Sequence, residues 1–408
     1  MSWLLDDRPL QAILVTRLRY LGDVAMATVV AEVLRRGDAR VDLGFLCEEA
    51  HAPVLAGQPS LRRVHVLRTQ RRSEDARARL LSADPRTIAV APVLPEDCEP
   101  AGGARVGLPH GGGRMVRELR TARYDLAVDL LFNPRSALLL RLSGAGARVG
   151  GRAGWRQRLY THLAGPEALD AEPPLRRLAP GGLGDHLSRL APLRHGPTGL
   201  PFLEWYRQEY AVAPAHPCIA RPPLGRGAAR QALDVLGVEG RDGFVLLAPG
   251  ATWPSKEWPV ARWERLIRLL VEQQSRPIVL LAPPLRGELY APLGAVVPPG
   301  RGGLLPPLPL VEVLRTVGAA ALLVSVDGGI MHAAVAMGRP TLALFGPSDP
   351  AIWFPYPGRR EHRVLATAPV CHPCGRHDCA EFICLPALEA EEVAATALVL
   401  LHDARSGL

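Results

Sequence analysis

Three short stretches carry residues whose types and spacing suit the handling of a phosphate and a proton. In Leu246–Trp258, LLAPGATWPSKEW, an apolar run enters a Gly-containing turn that bears Lys256. Lys and Arg together number 48 in this 408-residue chain, and Lys256 is the one Lys among them. A compact ammonium on a flexible stem does at close quarters what a guanidinium does not. With the Thr252 hydroxyl as a further donor it would face a phosphate. The Walker spacing G-x-x-x-x-G-K-[ST] is absent, which removes the ATPase reading. In Ala320–Pro350, AALLVSVDGGIMHAAVAMGRPTLALFGPSDP, a buried strand runs into Asp327, then Gly328 and Gly329, then a helix with His332. Two glycines let a phosphate approach the backbone, and the free N–H groups of a helix start would bind it. Asp327 could instead be a plain helix cap and His332 a packing residue, but their combination favours a nucleotide diphosphate site. In Thr16–Asp23, TRLRYLGD, a strand again meets a helix start. Asp23 there could take a proton from a hydroxyl or cap the helix, and by itself the stretch favours the cap.

Such residues need a frame that brings strand ends to one edge. Strand-like runs recur with helical segments between them, the signature of parallel sheets built from crossover units. The expected strands are Ala12–Thr16, Val41–Cys47, Val64–Leu67, Thr87–Ala91, Tyr124–Leu131, Phe244–Ala248, Pro277–Ala282, Ala320–Val326 and Pro340–Phe345. Apolar spacing of three and four predicts helices over Val24–Arg36, Pro134–Ser143, Pro259–Gln274, Val311–Val317, Gly329–Met337 and Glu389–His402. The fold class is therefore α/β. The length fits two domains of ordinary size, with the first expected at 1–195, a Pro/Gly/Arg-rich linker at 196–227 and the second at 228–408.

An apolar fraction of 48% and a charged fraction of 22% belong to a compact globular chain and exclude disorder or a coiled coil. The formal charge of +8 reflects Arg bias more than a nucleic-acid partner, because aromatic content is only 5% and no recognition motif is present. Two segments are densely basic: Arg62, Arg63, Arg68, Arg71, Arg72, Arg77 and Arg79, then Arg148, Arg152, Arg156 and Arg158. They read as solvated surface, or as a rim for an anionic acceptor or peripheral contact with anionic lipid. The start, MSWLLDDRP, has acids where a signal peptide needs bases. The longest notable apolar stretch, Val317–Val326, is too short to cross a bilayer. A cytoplasmic protein, free or at the inner face of the cytoplasmic membrane, is expected. Four of the seven cysteines, Cys371, Cys374, Cys379 and Cys384, lie in CHPCGRHDCAEFIC. Their spacing suggests a structural zinc, or iron, with His372 and His377 as alternative ligands, while free thiols or disulfides stay open.

Taken together, the motifs resemble the heptosyltransferases of glycosyltransferase family 9, inverting enzymes of GT-B architecture with two facing Rossmann-like domains. The resemblance rests on R-x-x-x-x-G-D at Arg17–Asp23, the middle stretch Tyr124–Tyr160, P-G-x-x-x-x-S-K-x-W at Pro249–Trp258, D-[ST]-G-x-x-H at Asp327–His332, and GRPTLALFGPSDP at Gly338–Pro350. It implies an ADP-sugar donor, usually ADP-heptose, and no catalytic metal. By position it places Lys256 and Thr252 on the diphosphate, with Asp327, Gly328, Gly329 and His332 around the phosphates and sugar. It also places Glu288 on the ribose, Leu308 at the adenine, and Asp23 as general base for a hydroxyl on a cell-envelope glycan of lipopolysaccharide-core type or a secondary metabolite. Gly328 departs from the usual Thr or Ser and loses a hydroxyl donor, and Ala251 lacks a hydroxyl that some members have. An epimerase or hydrolase of the same fold, or a non-catalytic nucleotide-sugar binder, are the competing expectations. A nicotinamide oxidoreductase would need G-x-G-x-x-G near the first strand, where RLRYLGD stands.

Overall fold

The computed structural model describes residues 2–68, 104–152, 154–165, 182–212, 215–238, 243–283, 287–356 and 359–406. The expected strand Thr87–Ala91 and Arg71, Arg72, Arg77 and Arg79 lie outside them. The chain begins with a hairpin, β1 (Trp3–Leu5) and β2 (Arg8–Pro9). A first parallel sheet follows from β3 (Ala12–Thr16), β4 (Asp42–Glu48), β5 (Arg63–Leu67), β6 (Arg105–Val106), β7 (Leu126–Asp129), β8 (Ala147–Gly150) and β9 (His162–Leu163). Strand β10 (Arg194–His195) returns to pair antiparallel with β1. A second parallel sheet contains β11 (Val245–Ala248), β12 (Ile278–Leu280), β13 (Gly302–Leu304), β14 (Leu322–Val326), β15 (Thr341–Phe345) and β16 (His362–Ala366).

The sheet orders are β6-β5-β4-β3-β7-β8-β9 and β13-β12-β11-β14-β15-β16. In the first sheet the first strand laid down, β3, lies between the second and the fifth, and in the second sheet β11 lies between the second and the fourth, so the winding reverses at each. This is the doubly wound arrangement, whose ligand crevice opens at the carboxyl ends beside the reversal. Register is fixed at both reversals by Thr16 opposite Asp129 and Ala248 opposite Ser325. The runs AILVT, VLLA, LLVSV and TLALF are almost wholly buried, as continuous apolar strands covered on both faces must be.

Helix α1 (Leu21–Gly37) is buried along most of its length, from Gly22 to Leu34. An all-round apolar helix belongs between layers, and α1 lies between the first sheet and the Gly329–Ala336 helix of the second. One apolar cluster runs without interruption from Ile13 and Val15 through α1 to Leu246, Leu323 and Ala333. A second fills the far face of the second sheet with Trp258, Trp263, Leu266 and Val393.

Several elements depart from expectation. The stretch 196–227 is not loop throughout, because Phe202–Glu209 is a helix whose Phe202, Trp205 and Tyr206 are buried. Trp3 fixes it, packing edge-on against Trp205 and donating its indole N–H to Leu34 O at 2.8 Å. Strands β13 and β16 carry too little periodicity to be read from sequence. The former is GGL with φ of 110° and 152° at its two glycines, and a Cβ on Gly302 would fall 2.1 Å from Ile278 O. Among the described residues no helix is long and apolar enough to cross a membrane.

Candidate active site

The loops after β3, β11 and β14 all leave the carboxyl edges beside the two reversals. After β3 the chain passes Arg17 and enters α1 at Leu21, three residues earlier than the apolar spacing predicts. Asp23 is therefore in the first turn and is not the cap. Tyr20 holds that position, with φ 64° and no side-chain capping bond. The Asp23 carboxylate instead accepts from Arg17, Nη2 to Oδ1 at 2.7 Å, and Arg17 also donates to Leu130 O at 2.5 Å. Burial raises the Asp23 carboxyl above the usual aspartate value, and the pull of Arg17 and then of Lys256 in the opposite direction does not cancel it. A carboxylate so placed is a better proton acceptor than a free one.

Lys256 ends a short turn, Pro254–Lys256, after β11. Its Nζ donates to Asp327 Oδ2 at 2.5 Å, with side-chain exposures of 12% and 3%. The same carboxylate oxygen accepts from Ser348 Oγ. Asp327 is thus the last residue of a strand loop, anchored by a cation and a hydroxyl. The cap position of the following helix is Gly328, without a side-chain capping bond. An ammonium has three donors, and Asp327 uses one of them.

The two helix starts touch. A Cβ on Gly22 would lie 2.7 Å from His332 Cδ2 and 3.2 Å from Gly329 Cα, and one on Gly329 would lie 2.9 Å from Leu21 Cβ. Gly329 is therefore small because α1 docks against it, a reason different from the phosphate approach that its sequence suggests. Gly328 is extended, φ −175°, and a Cβ there would meet only Val326 O at 3.8 Å. A Ser or Thr would fit, so the departure at Gly328 removes a hydroxyl and leaves the backbone N–H groups in place.

His332 is buried and shares a 3.3 Å hydrogen bond through Nδ1 with the Tyr356 hydroxyl. Burial pushes its imidazole down to about 4, against a smaller upward pull from Asp327 and with a still smaller downward push from Lys256. His186, buried near Arg17 and His332, is pushed well below the usual value, again chiefly by burial. Both rings are neutral in the fold and protonate more easily once unfolded. Their stabilising contribution is complete above the unfolded value of 6.5 and is lost as pH falls toward 4. His332 alone accounts for about 3 kcal/mol, so the melting temperature should drop steadily between pH 6.5 and pH 4.5. The His332→Gln protein should show a flatter profile in the same melting series.

Asp23, Lys256, Asp327, Gly328, Gly329 and His332 are thus gathered at one place. Thr252 is exposed in the turn before Lys256. Glu288 is in the first turn of the Gly287–Gly294 helix that follows β12. Leu308, partly buried against the core, follows β13. These last two stand at successive stations along the same sheet edge, since the order is β13-β12-β11-β14. Sequence reasoning assigned no role to Arg17, Ser348 or Tyr356, although Arg17 and Ser348 stand inside motifs it quoted. Tyr356 carries no motif and meets His332 only in the fold.

At the mouth of the first sheet, the buried Glu48 carboxylate holds Arg19 at 3.2 Å and Arg135 at 2.8 Å. Arg62 pairs with Asp42 at 3.1 Å, and Arg148 donates to Leu159 O and Ala145 O. Part of each basic segment is thereby structural. Among the described residues no three His, Cys, Asp or Glu side chains are gathered to hold a metal ion. Of the four cysteines, Cys374 and Cys379 lie near enough to Cys384 to raise its thiol, though burial is the larger cause. Cys371 points to solvent, and the Cys379 sulfur accepts from Phe382 N–H at 3.3 Å.

The family model for glycosyltransferase family 9 (heptosyltransferase) matches residues 214–382. Lipopolysaccharide heptosyltransferase 1 of Pseudomonas aeruginosa is 26% identical over 274 residues, covering 65% of this chain and 66% of that protein. Its namesake from Salmonella typhimurium is 30% identical over 111 residues, 27% of this chain and 34% of that protein. The matches thus span from a third to just under two thirds of these relatives. Among solved structures, a family 9 glycosyl transferase from Veillonella parvula superposes with a TM-score of 0.68 at 19% identity, covering 96% of this chain and 97% of the other. The E. coli ADP-heptose LPS heptosyltransferase II gives 0.65 at 19%, covering 97% and 99%. The fold, two parallel sheets in GT-B arrangement, is shared along nearly the whole length.

Proposed function

We propose that the chain is a member of glycosyltransferase family 9, the heptosyltransferases, whose family model matches residues 214–382, and that it is an inverting transferase. It moves a heptose-like sugar from an ADP-sugar to a hydroxyl of a cell-envelope glycan of lipopolysaccharide-core type. The observation that carries this reading is the contact of the two helix starts, Gly22 of α1 against His332 and Gly329, which brings the first turn of α1, with Asp23, to the loop end where Lys256 pairs with Asp327. The names of the relatives support the sugar and the acceptor class.

The donor diphosphate would lie at the start of the Gly329–Ala336 helix, against the N–H groups that no side chain caps and the two unused donors of Lys256. Glu288 and Leu308 then stand where the ribose and adenine extend along the sheet edge. The acceptor hydroxyl gives its proton to Asp23 as its oxygen bonds to the anomeric carbon. The bond from that carbon to the β-phosphate oxygen breaks on the opposite face, the electron pair leaves with ADP, and the configuration inverts. Lys256 and the helix N–H groups stabilise the charge that develops on ADP, which is where preorganised donors act most strongly. Arg19 and Arg135, both paired with Glu48 and partly exposed, would meet an anionic group on the acceptor.

The test is release of ADP from a panel of nucleotide sugars, with and without a lipopolysaccharide core lacking heptose. Release from ADP-heptose that requires the core is expected. Equal release without any acceptor would mean a hydrolase or epimerase of the same fold, and binding without turnover would mean a non-catalytic nucleotide-sugar binder.

A further inference from the structure

The cysteine-rich segment reaches the site through its backbone and one imidazole. His377, between Cys374 and Cys379, stacks on the Trp253 indole with ring centroids 3.7 Å apart and 22° between planes. Lys256 Nζ lies 4.1 Å from the centre of that indole. Beside this stack, Ser255 N–H donates to His377 O at 3.4 Å and Ser255 Oγ donates to Arg376 O at 2.7 Å. One residue earlier, Gly375 N–H donates to Pro347 O at 2.8 Å. Pro347 adjoins Ser348, which donates to the same oxygen of Asp327 as Lys256 does.

Three consecutive residues therefore hold both loops that feed the Lys256–Asp327 pair. A lysine stem has several rotatable bonds, and one carboxylate contact leaves its ammonium free to swing about that contact. An aromatic face on a second side removes most of that freedom, provided that the ring itself cannot turn. The His377 ring supplies that restraint.

We propose that Gly375–His377 is a clasp for the donor site and that Trp253 and His377 are positioning residues that set the Lys256 ammonium for the diphosphate. The proposal rests on the reading of Lys256 as the diphosphate contact. It requires a flat ring at position 377 and no proton chemistry there.

Calorimetric titration with ADP tests it, together with steady-state kinetics on ADP-heptose and a melting curve for each protein. His377→Ala should raise the ADP Kd and the donor KM about threefold to tenfold with little change in melting temperature, since the side chain is exposed. His377→Phe should return both to within about twofold, because stacking needs only a ring. Trp253→Phe, with a smaller face, should fall between them. If His377→Ala binds ADP normally while Lys256→Arg binds it weakly, the clasp is wrong and the donor site stands. If Lys256→Arg also binds normally, the donor site itself is wrong. Equal weakening by His377→Ala and His377→Phe would overturn the stacking role.

Discussion

Replacing Asp23 by Asn is expected to slow transfer by about 10²- to 10⁴-fold, the range for removal of a general base, while ADP affinity changes by less than about twofold. The amide keeps the size of the side chain and can still accept from Arg17, which already bonds Leu130 O, so the first turn of α1 should keep its place. What is lost is the ability to take a proton. The wild-type rate should also fall on the acid side as pH drops through the Asp23 pKa, because the base works only when ionised. Burial lifts that pKa above the ordinary aspartate value of 3.8, so the acid limb should lie at higher pH than an exposed carboxylate would give. In Asp23→Asn it should be absent from the residual activity. Full transfer activity in Asp23→Asn would remove Asp23 from the mechanism.

Replacing Lys256 by Arg, which keeps the charge, should still weaken ADP binding about tenfold or more. A hydrogen bond to a charged group is worth about 1.5–3 kcal/mol, and 1.4 kcal/mol is a factor of ten. The ammonium occupies a slot with Asp327 on one side and the Trp253 face on another, and is itself only 12% exposed. A planar guanidinium on a longer stem does not fit those two contacts and a phosphate together. Lys256→Ala should be worse in a second respect. It leaves Asp327 buried with only Ser348, and breaking a buried pair costs about 3–5 kcal/mol of stability, so its melting temperature should fall as well. Calorimetry on Lys256→Arg separates the binding effect from the folding effect, and unchanged ADP affinity there would contradict the assignment.

Gly22 and Gly329 show how far local sequence reasoning reaches. Both stand at the start of a helix that follows a strand, and the strand-turn-helix pattern is legible because its hydrophobic period and its glycines are neighbours in the chain. That each glycine is required by the other's helix is not legible, because the contact joins α1 to a helix some three hundred positions later in the chain. The same holds for Asp23, which reads locally as a cap. Only the observed helix start at Leu21 places it in the first turn with its carboxylate on Arg17. Strands β6, β9, β13 and β16 escaped notice because edge strands this short or this rich in Gly and polar residues bury too little to show a pattern.

The sequence by itself determined the α/β class, the strand-to-helix turns at which Asp23, Lys256 and Asp327 stand, and the resemblance of these motifs to one family. Those are properties of short windows, where burial period and turn chemistry act between near neighbours. The tertiary structure alone decided that Lys256 pairs with Asp327 across a separation of 71 residues, that Ser348 shares the carboxylate, and that the cysteine-rich segment meets the donor loop through His377. Those contacts follow from strand order in a doubly wound sheet, which brings distant loops to one edge, and no local window contains that order.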